Sequence, residues 1–250
     1  MKTHAFIPAR GGSTGVIRKN IKNLGGKPLI FHTINFAKSV DIFEQIIIST
    51  DDSEIADIST NGKITAKIFK SLIEDQVIEI SKNFILHKRK NIQANTLSPI
   101  RETLFDIAKN EHPLSNFDYV CMLQPTSPFR HRNDIEGIQS LIKSENVWTS
   151  IASVTEVGGM HPDRMYRVLT DKYLQAFQSQ ATGDNKPRQL LEKLFIKDGA
   201  YYMLKKTTLR ANEMLGDKML PLFRNGFHTI NIDTELDFKI AELVVDSFMN

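Results

Sequence analysis

The sequence predicts an α/β fold: a mostly parallel sheet with helices on both faces. Three observations predict it. Short, β-branched apolar runs recur along the chain, at His4–Ala9, Gln45–Thr50, Tyr119–Leu123 and Trp148–Val154. The run at 45–50 is contiguously apolar through Ile46–Ile48 rather than alternating, as expected of a strand covered on both faces. The runs are also separated by helix-length connections, the mark of βαβ units.

The elements follow in order. HAFIPA at 4–9 is a buried strand running straight into RGGSTG. Leu29–Ser39 places Ile30, Ile34 and Ala37 on one face and reads as a helix. QIIIST at 45–50 is the second strand, and Asp51, Asp52 and Ser53 supply short polar side chains to cap a helix over Glu54–Ser59. YVCML at 119–123 and Trp148–Val154 are the third and fourth strands, with helices expected at Pro99–Lys109 and Asn133–Lys143. Residues 60–95 mix polar and apolar positions without a readable period, and residues 155–190 are Gly/Pro-punctuated, an excursion from the sheet. Thr234–Phe248 reads as a closing amphipathic helix with Leu236, Ile240, Leu243, Val244 and Phe248 as its apolar residues. The chain is read as a single domain over 1–250.

Composition narrows the class. The 250 residues are 41% hydrophobic and 24% charged, which excludes a collagen-like or wholly disordered chain. Cys121 is the single cysteine, so neither an internal disulfide nor a cysteine-cluster metal site is possible; a mid-strand position makes it core. No apolar run approaches the roughly 20 residues that span a bilayer. The N-terminus breaks at Pro8 and Arg10 before a signal-peptide core could form. The expectation is a soluble cytoplasmic protein without a membrane partner. A net charge of +3 gives little long-range field and does not suggest a nucleic-acid binder. The run His87-Lys88-Arg89-Lys90 reads, taken alone, as a solvated face.

In open parallel sheets ligands collect at the carboxyl ends of strands, and the loops RGGSTG, STDD and QPTSPFR all sit there. RGGSTGVIRKN is not a P-loop, lacking Gly-Lys-Ser/Thr at the required offset. Nor is it a dinucleotide fingerprint, because Ser13 and Val16 replace the second and third glycines. It offers exposed backbone N–H groups beside Ser13 with cations at Arg10, Arg18 and Lys19, a cradle that suits a triphosphate; a tight turn flanked by surface charge is the competing reading. Gln124-Pro125-Thr126-Ser127-Pro128 is a bend that can present amide and hydroxyl groups to a polyhydroxylated ligand, or simply a turn. Asn231 and Asp233, at spacing i, i+2 on a strand face, offer oxygen ligands for one hard cation such as magnesium; a helix N-cap at Asp233 or Thr234 competes. The seven histidines show no metal-ligand spacing, and Ser13 lies in no Gly-x-Ser-x-Gly elbow.

Six motifs in order, IPARGGSTGVIRKNI (7–21), IIISTDDSEIA (46–56), LQPTSPFR (123–130), PRQ (187–189), DGAYYM (198–203) and NIDTELDF (231–238), resemble one family, the CMP-sialic acid synthetases or acylneuraminate cytidylyltransferases. The resemblance implies a Rossmann-like, nucleotide-diphospho-sugar transferase-like fold and an enzyme that uses Mg2+ to transfer CMP from CTP to the anomeric hydroxyl of an acidic nine-carbon sugar, releasing pyrophosphate. It implies that Arg10, Gly11, Gly12, Ser13, Lys19 and Asn20 hold the triphosphate, with Lys19 on the α-phosphate, and that Arg89 contacts the nucleotide. Gln124, Arg188, Gln189 and Tyr202 fall to the sugar and Asp233, with Asn231, to the metal; Lys19, Arg10 and Asp233 would carry catalysis. The excursion at 155–190 resembles the family's dimerisation segment, implying a homodimer. Four positions depart from the family pattern: Thr14 for a lysine, Ile17 for a proline, Asn231 for an aspartate and Asp198 for an asparagine. A catalytically impaired homologue and an enzyme for an eight-carbon ulosonic acid are the alternatives.

Overall fold

The computed structural model describes residues 1–94, 98–170, 172–177, 187–210 and 212–249. Its strands are β1 (Thr3–Pro8), β2 (Asn23–Leu24), β3 (Lys27–Pro28), β4 (Gln45–Thr50), β5 (Val77–Ser81), β6 (Phe84–Lys88), β7 (Tyr119–Met122), β8 (Ser150–Glu156), β9 (Tyr166–Val168), β10 (Leu174–Ala176), β11 (Phe195–Lys205) and β12 (Met219–Phe223). Its helices are α1 (Leu29–Ser39), α2 (Ser53–Ser59), α3 (Ala66–Ser71), α4 (Ile100–Ala108), α5 (Arg132–Ser144) and α6 (Glu235–Met249). Eight strands form one sheet in the order β12-β8-β11-β7-β1-β4-β6-β5. β7, β1, β4 and β6 run parallel, as do β12 and β8, while β11 and β5 oppose their neighbours. The mostly parallel sheet expected from the sequence is therefore observed. No helix among the described residues is long and apolar enough to cross a membrane.

Alternation along each central strand divides its side chains between two cores. Ala5 and Ile7 of β1 and Ile46 and Ile48 of β4 meet α1, α2 and α5 on one face, through Ile30, Ile34, Ile55 and Ile138. Phe6 and Ile47 point the other way, against Leu104 and Ile107 of α4. A third cluster joins Val16, Leu24 and Leu29 to Ile232 and to Phe238, Ala241 and Val245 of α6.

Three expectations are corrected. The unreadable stretch holds α3 and a β5–β6 hairpin, whose second strand inserts parallel to β4. Its character is hidden because the run at 87–90 is not a solvated face: His87 and Arg89 are buried, with polar partners beneath the surface. In α6 the packed stripe is Phe238, Ala241 and Val245, leaving Leu236, Ile240 and Leu243 exposed. Steps of three and then four residues, Phe238 to Ala241 to Val245, keep this stripe on Val16 and Ile232, which sets the helix's rotation. Asn231 and Asp233, finally, lie in extended chain outside any strand.

Asp198, at the amino-terminal part of β11, is buried and fully bonded. Its Oδ2 accepts from Arg224 Nη1 at 2.7 Å, and its Oδ1 accepts from the Ala200 amide at 3.0 Å and from Ser153 Oγ. Arg224 also donates through Nη2 to the Phe129 carbonyl, and its Nε lies 3.2 Å from Asp134 Oδ2, in charge contact but off the line of a hydrogen bond. Removing Arg224 takes the cation from the buried Asp198 carboxylate. Arg224→Met should therefore destabilise the protein by about 3–5 kcal/mol, read from the denaturant midpoint, and adding Asp198→Asn should restore most of that loss.

Candidate active site

Loops leaving the carboxyl ends of β1, β6 and β7, together with the 231–233 segment, enclose a cleft of about 510 Å3. The first loop is shaped by its own backbone. The Ala9 amide donates to the Ser49 carbonyl at 2.9 Å, ending the ladder, and the Gly11 amide then turns onto Asp51 Oδ1 at 3.1 Å. Asn20 closes the loop from the far side, donating through Nδ2 to the Arg10 carbonyl at 2.9 Å. Arg10, Ser13, Thr14, Lys19 and Asn20 face the cleft, with Gly11 and Gly12 forming the bend before them. Gly15 runs so close to the 231–233 segment that a Cβ there would stand 2.0 Å from the Asp233 carbonyl oxygen.

Arg18, expected among the phosphate cations, is engaged elsewhere. It adopts a left-handed conformation (φ 54°) and binds both oxygens of Asp52, at 2.5 and 3.0 Å, and also Glu54. Asp52 in turn caps α2, accepting from the Glu54 and Ile55 amides, each at 2.9 Å. Burial alone would push the Asp52 carboxyl up, but the Arg18 bond and the capping amides outweigh it and hold the group below the usual range. Arg18 thus clamps the first loop to the second and is not a ligand for an anion in the cleft.

Lys19 stands on a 3-10 turn over Lys19–Ile21 and crosses the cleft floor. Its Nζ donates to the Ile232 carbonyl at 2.6 Å and lies 3.3 Å from Asp233 Oδ1. Arg89 is buried, with Nε on Ser49 Oγ at 3.2 Å and Nη2 on the Ser49 carbonyl at 2.7 Å. Burial pulls its pKa down to about 10, with Asp51 opposing and Arg10 adding, so it remains a cation at neutral pH. Gln124 follows β7; its carbonyl accepts from Arg130 Nη2 at 2.7 Å. Gly199, at φ +81°, passes where a Cβ would lie 2.8 Å from Gln124 Oε1, so only glycine fits there.

The opposite wall is the 231–233 segment. Its middle residue, Ile232, is buried and its amide donates to the Thr126 carbonyl at 2.8 Å, so Asn231 and Asp233 turn to the cleft. Asn231 Nδ2 donates to Asp233 Oδ2 at 2.9 Å, while its Oδ1 accepts from Ser127 Oγ at 3.3 Å. The helix-cap reading holds alongside: Thr234 Oγ1 accepts from the Asp237 amide at 3.2 Å, and Asp237 Oδ2 accepts from the Asp233 and Thr234 amides. Asp233 keeps a largely exposed carboxylate, 67% accessible, at the mouth of the cleft. Magnesium is commonly held by one or two carboxylates, with water and substrate phosphates completing the shell, and this donor set fits such an ion.

Not every expected residue is here. Arg188 and Gln189 line a separate cleft of about 310 Å3 beside Gly158 and Glu192. Tyr202 packs into the second core cluster, opposite Met122, rather than lining the first cleft. Thr126, in the bend expected to present hydroxyl groups, lines the cleft beside Gln124, and Gln93 lines it without having been singled out. Gln93 belongs to the stretch whose period is unreadable.

Residues 4–77 match the model of the cytidylyltransferase family. Over 98% of its length the chain is 26% identical to the CMP-N,N'-diacetyllegionaminic acid synthase of Legionella pneumophila, covering 97% of that protein. Over 95% of its length it is 29% identical to the N-acylneuraminate cytidylyltransferase of Streptococcus agalactiae, of which it spans 52%. A solved CMP:2-keto-3-deoxy-manno-octonic acid synthetase complexed with CTP shares the fold, with a TM-score of 0.64 at 13% identity over 99% of this chain and 100% of that one. The cation-lined cleft at the carboxyl ends of the parallel sheet thus lies in a chain similar to cytidylyltransferases in its first third. Over nearly its whole length the chain is similar to a CMP-sugar synthase.

The contact at Gly15 can be tested directly. Gly15→Ala should cost about 1–3 kcal/mol by overpacking in a denaturant titration, whereas Gly12→Ala, whose Cβ meets nothing within 4 Å, should leave the midpoint unchanged.

Proposed function

We propose that the protein transfers CMP from CTP to the anomeric hydroxyl of a nine-carbon α-keto acid sugar of the sialic, legionaminic or pseudaminic type, releasing pyrophosphate. One observation carries the reading: Arg10, Lys19 and Arg89 bring three cations to one cleft that also holds Ser13, Gln124 and Asp233. The sugar oxygen bonds to the α-phosphorus as the bond to the bridging oxygen breaks, and negative charge grows on the departing pyrophosphate. Such a displacement is governed by positioning and charge neutralisation. Arg10, Ser13, Asn20 and the amides of Gly11 and Gly12 are assigned to the triphosphate. Lys19 is assigned to the α-phosphate, where its tether to the Ile232 carbonyl fixes the ammonium before substrate arrives. Arg89 is assigned to the nucleotide and Gln124 to the sugar. Asp233 would hold Mg2+, with Asn231 orienting its carboxylate; the ion, when bound, supplies further neutralisation of phosphate charge.

The sugar carboxylate is assigned to Arg188 with Gln189. Since Arg188 lies in the second cleft, this assignment requires a homodimer in which one protomer's excursion reaches its partner. The exposed Met160, Tyr166, Val168, Tyr173, Leu174 and Phe177 support that reading, because an apolar surface of this extent marks an interface. Residues 178–186 lie outside the described residues. The whole chain, 1–250, is assigned to one nucleotidyltransferase domain acting in the cytoplasm, where nucleoside triphosphates are made.

The test is pyrophosphate release with Mg2+ and CTP against neuraminic, legionaminic, pseudaminic and eight-carbon ulosonic acids, with UTP and ATP as controls. Release with CTP and one nine-carbon acid is expected; release only with the eight-carbon acid, or none, would reject the reading. Lys19→Ala should lower kcat by roughly 10²-fold, the scale of losing one preorganised donor. Sedimentation at micromolar concentration should give a dimer, and Tyr173→Glu a monomer.

A further inference from the structure

Arg89 is held by side chains that run away from the cleft, and the bonds along them have one consistent direction. Arg89 Nε donates to Ser49 Oγ at 3.2 Å, so the hydroxyl hydrogen is directed onward to His87 Nδ1 at 3.0 Å. His87 then carries its proton on Nε2 and donates it to Asp75 Oδ1 at 3.0 Å. Lys90 Nζ lies 3.2 Å from the other oxygen of Asp75 and 2.9 Å from Asp106 Oδ2. Ser49 and His87 are fully buried, so the chain is not exchanged for water. The His87 bond, followed by the Lys90 contact, holds the Asp75 carboxyl well below the usual range against its burial, so its accepting end persists at neutral pH.

From this geometry we infer that Asp75 and His87 are positioning residues for nucleotide binding. They fix the Ser49 hydroxyl as an acceptor toward Arg89 and so hold the guanidinium in the orientation that receives CTP. Neither touches the cleft. The inference rests on the CTP reading above.

The same cluster brings Asp75, His87 and His112 within 4.8 Å of one another at their ligand-type atoms. It is arranged for donors and not for a cation. The Leu114 amide donates to His112 Nδ1 at 3.1 Å, which leaves the His112 proton on Nε2, the atom facing Asp75 Oδ1 at 3.7 Å. Two ring N–H groups and one ammonium therefore converge on a single carboxylate.

The test is CTP binding by calorimetry, which needs no knowledge of the sugar. Asp75→Ala, a partly exposed site remote from the cleft, should weaken CTP binding roughly tenfold, the scale of one hydrogen bond to a charged group. In an Arg89→Lys background, which lacks the Nε donor, Asp75→Ala should add no further loss. Ile85→Ala, a core substitution in the same strand as His87, should lower the melting temperature while leaving CTP affinity unchanged, separating positioning from stability. Ser49→Ala should repeat the loss and Ser49→Thr, which keeps the hydroxyl, should recover it. Unchanged affinity in Asp75→Ala, or a loss that adds fully to that of Arg89→Lys, would overturn the inference while leaving the CTP reading intact. A wild-type protein that does not bind CTP would reject that reading and this inference with it. A Zn2+-dependent rise in melting temperature abolished by His112→Ala would replace the donor assignment with a metal site.

Discussion

The cleft depends on Lys19. Its ammonium donates to a backbone carbonyl 213 residues away in sequence, joining the first loop to the 231–233 segment, which Ile232 and Asn231 tie to Thr126 and Ser127. The side chain is mostly shielded, 12% exposed, so the cation sits partly desolvated and needs its acceptors. Around this bond the third core cluster assembles: Val16 follows the first loop, Ile232 lies between the two cleft-facing residues, and Phe238 comes from α6. A lysine ammonium is a compact point charge on a flexible stem; two fixed acceptors convert it into a positioned one. The first loop, the last helix and the cleft wall are consequently one mechanical unit.

The parts of the fold that were legible were those in which burial and side-chain type agree. QIIIST could only be a strand with two apolar faces, and Ile47 does oppose Ile46 and Ile48 across the sheet. Leu29–Ser39 carries an uninterrupted helical face, and Asp52 a cap. The residues at 84–90 defeated the same logic because His87 and Arg89 are buried by hydrogen bonding and not by apolarity, and a sequence pattern cannot distinguish a buried charge with partners from a solvated one. Arg18 failed for a related reason: its neighbours in sequence line the cleft, but its partners, Asp52 and Glu54, lie at the start of α2. In the candidate site, the residues gathered from consecutive loops were legible, whereas Arg188 and Gln189 line a second cleft and Tyr202 packs in the core.

Two of the four departures from the family pattern acquire a physical account. Asn231, standing where an aspartate is usual, donates its amide to Asp233; a second carboxylate there would instead face Asp233 as a like charge. Asp198 does not project its charge into the cleft, because Arg224 neutralises it in the interior. Thr14 lines the cleft and Ile17 is exposed; nothing in the structure explains either substitution.

The Asp198–Arg224 pair also bears on how this sequence can change over time. Exchanging Arg224 alone strands the buried Asp198 carboxylate, whereas exchanging Asp198 alone leaves Arg224 beside Asp134 and the Phe129 carbonyl. The two positions are therefore open to change in one order only: an asparagine at 198 first, and a neutral residue at 224 after it.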